Sequence, residues 1–521
     1  MDDTKRIAIA FAVIFVVIML WQFLFRAPTP ARTQKTLPEP ETTEKIVSPP
    51  VTKKPPLKPS PKVEALEKVE PEIENTLENE DLRIVFSNQG GTIKSVYVKK
   101  HKAELVPKDT RLFSTVLLTD QGSLDLSDLM MNTKATDSSV EYEKFVSGLK
   151  VKKIFRLNHD YSLNFVMRLE GESRGYLINA GAGLATNEPN VGDDLNHFRF
   201  YHKGLNQFKG YPAKKLKNGL VLTDMVDWVG LRTKYFFISL VGLSTKFDTT
   251  TAYLLPDNRI AFSAGTRSSQ NENSYLLFLG PLKYDQLKSY GIGLENAVEL
   301  GWPKPFSLAI LKILDFLYRV FRNYGVAIVI FSMLMKGLFW PLTHRSTKQM
   351  QQMQLLQPKL EELKKKYKND SQALNRETMQ LYKLYKINPL SGCLPLIIQL
   401  PIFWALYSVL RSTIDLRRAS FVFWLKDLSM KDPFYILPIL MGVSFLAQNL
   451  LTSADKRNKV LQIFMPIFLT VIFLNFPSGL QLYWFIYNIL SIVESIIARK
   501  GGISWLKPQL QTKPVTKSPA Q

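Results

Sequence analysis

Long apolar segments recur through the C-terminal part of the chain, and each is bounded by polar or charged residues. A helix rises about 1.5 Å per residue, so about twenty apolar residues cross a hydrocarbon core of about 30 Å. Some segments fall short of that length, which tilt or local bilayer thinning would accommodate. The pattern predicts an α-helical transmembrane core over residues 325–500, with five spanning helices at about 325–343, 391–411, 433–451, 460–476 and 479–497.

Another apolar run, residues 7–25, directly follows Lys5 and Arg6. It is long enough to span a bilayer, and Arg26 stands where a signal peptide would have a small-residue cleavage site. We predict an uncleaved transmembrane signal anchor in residues 1–26, with a cleaved signal peptide as the alternative. The basic flank places the N-terminus in the cytoplasm.

Residues 27–76 are polar and proline-rich, with paired prolines at 49–50 and 55–56. A segment of this composition buries too little apolar surface to fold alone, which favours a semi-extended linker. The linker would hold the following domain away from the membrane.

Residues 77–300 alternate apolar and polar positions with the period of half-buried strands, as at Leu82, Ile84 and Phe86. A glycine pair at 90–91 offers a turn, and few long helical patterns interrupt the alternation. The pattern predicts an all-β sandwich domain, in which no cluster of titratable residues suggests catalysis. Further strand-like runs lie at 113–118, 162–169, 235–240 and 275–279.

Residues 303–322 have an amphipathic helical pattern. Ile310, Leu314 and Leu317 share one side of such a helix, whereas Arg319 lies elsewhere. The helix could pack on its own domain or lie in the outer membrane–water interface. The spanning segment that follows directly favours the interface.

Residues 344–386 predict a helical hairpin on the cytoplasmic side. Apolar residues recur every three or four positions on both sides of a turn at Asn369 and Asp370. Packing of the two helices on each other explains part of this stripe. Its methionines would also suit transient contact with apolar segments of a partner protein, and the sequence leaves both uses open.

The net charge of +22 is concentrated on the predicted inner loops. Residues 344–386 hold ten Lys or Arg against four Asp or Glu, and residues 498–521 hold five basic residues and no acidic one. The predicted outer loop, 412–432, is nearly balanced, so both termini are predicted to be cytoplasmic and the β domain external. The excess would also fit anionic lipid headgroups, nucleic acid or ribosomal RNA, but since topology explains much of it we predict no specific DNA binding.

Catalytic and cofactor motifs are missing from the sequence. Cys393 is the single cysteine, so no intrachain disulfide can form, and five histidines are scattered without metal-ligand spacing. Nucleotide-binding, serine-hydrolase and zinc-protease motifs are also missing. We therefore predict no cofactor, no metal and no enzymatic activity.

Lys336 lies deep within the first predicted core helix, about eleven residues from its outer end. A charge at this depth costs about 2.5–3.5 kcal/mol on insertion scales, so such residues usually face a wet or protein-lined cavity. Ser332 precedes it by four residues, shares its helix face and would line the same hydrated surface. The alternative is that Lys336 reaches the inner headgroups along its apolar stem.

Other polar residues recur within the predicted spans. They favour a partly polar interior, although each alone is commonly an interhelical hydrogen bond. Among acids the spans contain only Glu494, near an inner end, which argues against an ion-coupled carrier. The polar residues are Gln399, Gln448, Asn475, Gln481 and Asn488.

Two long motifs resemble the YidC family of membrane protein insertases: NPLSGCLPLIIQLPIFWALY at 388–407 and FPSGLQLYWFIYN at 476–488. LQPKLEELKKKY at 356–367 and DPFYILPILMGV at 432–443 add to the likeness, which is strong over 325–500. The anchor, the linker and the β domain resemble the Gram-negative form of the family. The resemblance implies a five-helix core and a periplasmic β-supersandwich domain in a multi-pass protein of the bacterial inner membrane.

The resemblance also implies a site. Family members enclose a groove open to cytoplasm and lipid, in which one basic residue attracts the acidic or polar segment of a client protein. That residue corresponds to Lys336, where the family usually has Arg, and an opposing Tyr corresponds to Trp484, beside Tyr483. Candidate groove residues are then Lys336, Ser332, Gln399, Gln448, Tyr483 and Trp484, and candidates for a hydrophobic client path are Leu394, Leu400 and Phe403.

The implied partners are nascent membrane proteins, the Sec translocon, membrane lipids and translating ribosomes. The hairpin and the basic tail, 501–521, are the candidate ribosome contacts, although plain positive-inside charge explains them equally well. Two other functions stay open. A small-molecule or ion transporter would need internal repeats or intramembrane acids, and a structural scaffold would need the β domain more than Lys336.

Overall fold

The computed structural model describes residues 71–499 except 121, 172, 182, 206, 268–270, 302–303, 386, 389–393 and 453–458, and it leaves undescribed the side chains of 394–396, 452, 459–462 and 498–499. The predicted anchor, most of the predicted linker and the predicted basic tail lie outside the described residues.

Nearly all the regular secondary structure in the first half of the described chain is strand, as predicted. The first strand begins at residue 74, slightly before the predicted domain boundary. The strands are β1 (Glu74–Glu78), β2 (Leu82–Ser87), β3 (Thr92–Val98), β4 (Ala103–Glu104), β5 (Ser114–Thr119), β6 (Gly122–Asp125), β7 (Asn132–Ala135), β8 (Ser139–Val146), β9 (Leu149–Leu157), β10 (Ser162–Glu170), β11 (Gly175–Asn179), β12 (Arg199–Gly204), β13 (Phe208–Pro212), β14 (Leu220–Leu222), β15 (Val226–Arg232), β16 (Phe236–Gly242), β17 (Thr249–Leu254), β18 (Ile260–Thr266) and β19 (Glu272–Pro281).

These strands form three sheets, and every pairing between them is antiparallel. The largest sheet has nine strands in the order β13-β12-β15-β16-β19-β10-β9-β8-β7. A six-stranded sheet runs β14-β17-β18-β11-β5-β6, and a four-stranded sheet runs β1-β2-β3-β4.

Aromatic side chains join the two larger sheets. The hydroxyls of Tyr176 on β11 and Tyr275 on β19 lie 2.7 Å apart, and both rings are buried. Phe200 on β12 approaches Phe262 on β18 with ring centroids 5.8 Å apart. The inner faces of the two sheets therefore share one core, which confirms the predicted sandwich.

Lys153 on β9 occupies an inward-facing position of that core, with no exposed surface. Its Nζ donates to the backbone carbonyls of Gly90 at 2.7 Å, Gly91 at 3.2 Å and Phe113 at 3.3 Å. All three acceptors have positive φ, at +67°, +54° and +62°. The ammonium therefore ties two tight turns to the centre of the sheet.

Burial lowers the pKa of Lys153 to about 7. Between pH 7 and pH 9 the folded protein loses this proton while the unfolded chain keeps it. The free energy of unfolding of the β domain should therefore rise by about 2 kcal/mol from pH 7 to pH 9. Lys153→Met should remove that rise, and it should lower stability at both pH values because three carbonyls lose a donor. Urea unfolding of the full-length protein, followed by pulse proteolysis of the β domain, measures both effects. An unchanged pH slope in the variant would contradict the assignment.

The second half of the described chain is helical. Two short helices, α1 (Val191–Asn196) and α2 (Tyr284–Ser289), belong to the β domain. The helices that follow it are α3 (Lys304–Phe321), α4 (Tyr324–Leu355), α5 (Gln357–Lys366), α6 (Ser371–Leu384), α7 (Leu394–Ser412), α8 (Ile436–Thr452), α9 (Lys459–Phe473) and α10 (Ser478–Arg499).

Two described helices, Tyr324–Leu355 and Ser478–Ile497, are long and apolar enough to cross a membrane. Three shorter apolar stretches, Ile397–Ser412, Ile436–Leu451 and Ile463–Phe473, belong to α7, α8 and α9. All five coincide with predicted spans, while the number that crosses the bilayer stays a prediction. With 32 residues, α4 is about 48 Å long, so it extends past a hydrocarbon core and into the segment predicted as the hairpin.

Side-chain caps mark the start of two helices, α4 and α6. The side chain of Asn323 accepts a hydrogen bond from the backbone N–H of Val326 at the start of α4. Asp370 does the same for Ala373 at the start of α6, so the turn at Asn369 and Asp370 separates α5 from α6.

The amphipathic helix α3 has two apolar surfaces. Its inner surface, which includes Ile310, Leu314 and Leu317, is buried. Phe316 and Val320, by contrast, are 64% and 58% exposed. The buried surface packs against α4 and α7 of the core, and the exposed apolar surface suits the interfacial position, which stays a prediction.

A buried ion pair joins the β domain to the loop between α7 and α8. The Arg417 guanidinium donates to Glu188 Oε1 at 2.6 Å, and to the carbonyls of His101 at 3.0 Å and Asn187 at 2.9 Å. The side chains of Arg417 and Glu188 are 3% and 7% exposed. We call this contact the junction.

A second charged group extends the junction. Arg411, at the end of α7, donates to Asp193 Oδ1 at 2.7 Å. Lys234 donates to Asp193 Oδ2 at 3.0 Å. The β domain therefore contacts the C-terminal end of α7 through charged side chains, besides its covalent connection to the core.

Candidate functional site

Lys336 is the centre of the polar interior of the helical core. It lies twelve residues into α4 and is 8% exposed. Its Nζ donates to Ser491 Oγ at 2.7 Å and pairs with Glu494 Oε2 at 2.7 Å. It also lies 4.9 Å from the ring centroid of Tyr487. These three partners follow one another at helical spacing on one face of α10.

The pairing with Glu494 corrects the sequence interpretation, which treated the cation as unaccompanied. Helices α4 and α10 run in the same direction, because Phe331 contacts Tyr483 while the later Lys336 contacts the later Ser491. From the first contact to the second, α4 advances five residues, about 7.5 Å, while α10 advances eight, about 12 Å. The long Lys336 side chain therefore extends toward the C-terminal end of α10 to reach Ser491 and Glu494. Lys336 therefore has a protein counter-ion instead of reaching alone toward headgroups.

Ser332 is fully buried. Its Oγ donates to the backbone carbonyl of Ile328, one turn earlier on α4, at 2.7 Å. It shares the helix face of Lys336, as predicted, but a side chain without exposed surface does not line a hydrated surface. That part of the expectation is wrong.

A second polar contact lies between α7 and α10. Gln399 Nε2 donates to the Tyr483 hydroxyl at 2.8 Å, and both side chains are buried. The Tyr483 ring also packs on Phe331 of α4, with centroids 5.9 Å apart. Three helices therefore meet at Tyr483, about two turns before Ser491 along α10.

Trp484 points to another part of the core. Its ring contacts Phe403 and Phe473 edge-on, at centroid distances of 5.7 Å and 5.0 Å. Neighbouring positions on a helix are about 100° apart, so only one of Tyr483 and Trp484 can face Gln399. The structure gives that place to Tyr483, and the place of Trp484 in the groove stays a prediction.

The residues of the predicted hydrophobic client path differ in exposure. Leu400 is 37% exposed. Phe403 is buried in an aromatic cluster with Tyr407, Phe473 and Phe476, and its part in the client path stays a prediction. Leu394 begins α7, but its side chain lies outside the description.

Helix α8 adds polar residues to the same interior. Asn488 on α10 donates to Ser444 Oγ at 3.2 Å, and both are buried. Gln448 follows Ser444 by one helical turn and is half-buried. Together with the contacts of Lys336 and Tyr483, these residues form a polar interior built by α4, α7, α8 and α10.

Two partners of Lys336 are not identified by the sequence patterns above. Glu494 appears there only as an acid near an inner end, and Ser491 does not appear. With Tyr487 they repeat every three or four residues, which would have marked a polar stripe on α10. The repeat alone could not show that this stripe faces Lys336.

The described residues provide no group of three or more His, Cys, Asp or Glu able to hold a metal ion. Instead, the interior offers a paired cation, amides and hydroxyls among apolar helices. The amides and hydroxyls can donate hydrogen bonds to a polar chain or accept them from it, and the ammonium can donate to its carboxylates.

Two family models match nearly the whole described chain. The model described as the YidC periplasmic domain matches residues 74–313, and the model described as the 60Kd inner membrane protein matches residues 316–504. Their boundary, at residues 314–315, falls within α3, the helix between the β domain and the core.

Full-length relatives agree. The membrane protein insertase YidC of Geotalea daltonii is 33% identical, over 95% of this chain and 99% of that protein. The membrane protein insertase YidC of Syntrophus aciditrophicus is 35% identical, over 83% of this chain and 86% of that protein. A crystal structure of an active YidC insertase with its first transmembrane domain resolved is 19% identical, with a TM-score of 0.40, over 82% of this chain and 93% of that one. From the coverage of these two relatives, the chain belongs to the YidC family of membrane protein insertases.

Proposed function

We propose that this protein inserts nascent membrane proteins into the bacterial inner membrane through a polar groove whose cation is Lys336. The observation that carries the proposal is a cation buried deep in an apolar helix, among polar residues of other core helices. Moving a loop across a bilayer leaves its polar groups without partners unless the route supplies them. The polar interior supplies such partners partway through the membrane.

The groove would act on two parts of a client in turn. An acidic group of the translocated segment would be drawn to the Lys336 ammonium. At about 4 Å and an effective dielectric of about 20 that attraction is about 4 kcal/mol before desolvation, enough to guide a segment without trapping it. The client's apolar helix would then leave sideways past exposed core residues such as Leu400 into lipid, driven by apolar burial. The protein forms no covalent bond in this scheme and needs no cofactor.

The topology follows from charge. Both termini and the α5–α6 hairpin would face the cytoplasm, and the β domain would face the periplasm. In α5 the last turn carries Lys364, Lys365 and Lys366, which suits contact with ribosomal RNA or anionic lipid. We include the Sec translocon as a further partner for clients with large translocated domains.

Reconstitution tests the function directly. Liposomes that contain only the purified full-length protein should insert a short client with one spanning helix, at a yield several times that of protein-free liposomes. Protection of the client's translocated segment from added protease measures insertion. The control is the same protein inactivated by heat before reconstitution. Yields equal to those of protein-free liposomes would contradict the proposal.

A further inference from the structure

Lys336 already has an anionic partner within the protein. Glu494 Oε2 lies 2.7 Å from its Nζ, and the two side chains are 10% and 11% exposed. An ammonium has three donors, and here Glu494 and Ser491 Oγ engage two of them. A client carboxylate that approaches the cation therefore meets an internal carboxylate in the same place.

The surroundings leave Glu494 as the competing anion. His344 Nδ1 lies 3.9 Å from its other carboxylate oxygen, and the Tyr487 ring lies beside Lys336. The polar residues that α7 and α8 add to the interior, Gln399, Ser444 and Gln448, are uncharged. They can hydrogen-bond a client but cannot repel its acid.

We propose that Glu494 is a specificity-determining residue, which occupies the groove cation at rest and must be displaced by the client's acidic group. This inference rests on the proposed function of Lys336. A neutral translocated segment gains no favourable contact by displacing Glu494. An acidic segment gains only the difference in free energy between its own contact with Lys336 and the contact that Glu494 gives up. Glu494 therefore lowers the preference for acidic clients below what an unpaired lysine would give.

The position of Glu494 acts in the same direction. It lies three residues beyond Ser491, about 4.5 Å nearer the C-terminal end of α10. In the proposed topology that end is cytoplasmic, so an acidic segment that enters from the cytoplasm passes Glu494 before it reaches Lys336. Like charges repel strongly in a poorly hydrated site.

A purely structural role predicts the opposite effect. Buried ion pairs contribute little net stability on average, but removing one partner leaves the other buried and uncompensated. If Glu494 served only to hold Lys336 in place, its loss would disorder the cation and reduce the preference for acidic clients.

The experiment compares two clients that differ only in one translocated position, Asp or Asn. Liposomes contain full-length protein as wild type, Glu494→Gln, Lys336→Met, or both substitutions together. The readout is the ratio of initial insertion rates, Asp client over Asn client. Glu170→Gln, at an exposed position of β10, is the matched control for losing one carboxylate far from the core.

We expect Glu494→Gln to raise the ratio at least threefold over wild type. Lys336→Met should bring the ratio close to one in the Glu494→Gln background, and below one where Glu494 is present, because that carboxylate then repels the client acid without Lys336 beside it. If Lys336→Met lowers the ratio while Glu494→Gln leaves it unchanged or lowers it, the role of Glu494 is overturned and the groove cation stands. If Lys336→Met leaves the ratio unchanged, the groove cation itself is overturned. Should Glu494→Gln fail to fold, Glu494→Asp decides, because its carboxylate is one methylene shorter. A ratio above wild type supports the inference, and a ratio at or below wild type overturns it.

Discussion

Replacing Lys336 with glutamate should lower the insertion of clients with acidic translocated segments by at least tenfold. The new carboxylate would lie in the place where Lys336 now pairs with Glu494 at 2.7 Å, so two anions would share a site that holds one cation today. A client acid would then meet repulsion where it now meets attraction. A change of about 1.4 kcal/mol already amounts to tenfold, and reversing a contact of a few kcal/mol exceeds that.

Lys336→Arg is the conservative counterpart. A guanidinium keeps the charge and can bind Glu494 through two parallel hydrogen bonds, so we expect insertion within about twofold of wild type. Protease protection of the same client in liposomes measures both variants. Equal yields for the Glu and Arg variants would end the groove-charge mechanism.

Misfolding is the main competing explanation for a loss in Lys336→Glu. The double variant Lys336→Glu with Glu494→Lys restores an ion pair in the reverse order, which should recover the folded yield and the thermal stability in detergent. It should still insert acidic clients poorly, because the anion now lies at the deeper position on α4. Full recovery of insertion would mean that the pair is structural.

Much of this fold could be predicted from the sequence. Alternation at Leu82, Ile84 and Phe86 correctly predicted β2, because one face of that strand is fully buried. The same alternation on β9 places Lys153 on the inward face, between Val151 and Phe155. Length and hydropathy located the core helices because a bilayer imposes both requirements on each helix separately.

The sequence could not predict in this way which side chains of one helix contact those of another. The depth of Lys336 within its span was evident, whereas its pairing with Glu494 depends on the packing of two helices separated by most of the core sequence. Trp484 and Tyr483 show the same limit. Both suit an aromatic position, and only the rotation of α10 decides which of them meets Gln399. Contacts of this kind depend on tertiary packing, to which hydrophobic periodicity is blind.

The junction attaches the β domain to the loop after α7. Burial raises the pKa of Glu188 because it disfavours the ionised carboxylate, and the adjacent Arg417 guanidinium offsets part of that effect. Arg417 lies in the loop after α7, and its hydrogen bonds among the described residues go to Glu188, His101 and Asn187 of the β domain. The junction and the groove should therefore respond separately to substitution.

Arg417→Met should loosen the junction by about 3–5 kcal/mol, because Glu188 and two backbone carbonyls would lose their buried donor. Hydrogen exchange of residues 187–194 in the full-length protein should then accelerate by about a hundredfold or more, since each 1.4 kcal/mol is a factor of ten. Arg418→Met is the matched control, because that side chain is exposed. Adding Glu188→Met to Arg417→Met should recover part of the protection, because the pair is then removed as a whole.

The same variant separates the insertase from a scaffold. A protein whose task is to present the β domain should lose function when the junction loosens, and it should tolerate changes at Lys336. An insertase whose route runs past Lys336 should keep client insertion within about twofold in Arg417→Met while exchange at the junction accelerates. If client insertion instead falls as the junction opens, the β domain is part of the insertion route. The connection through α3 would then not suffice, without the junction, to keep the end of the core that contacts the β domain in place.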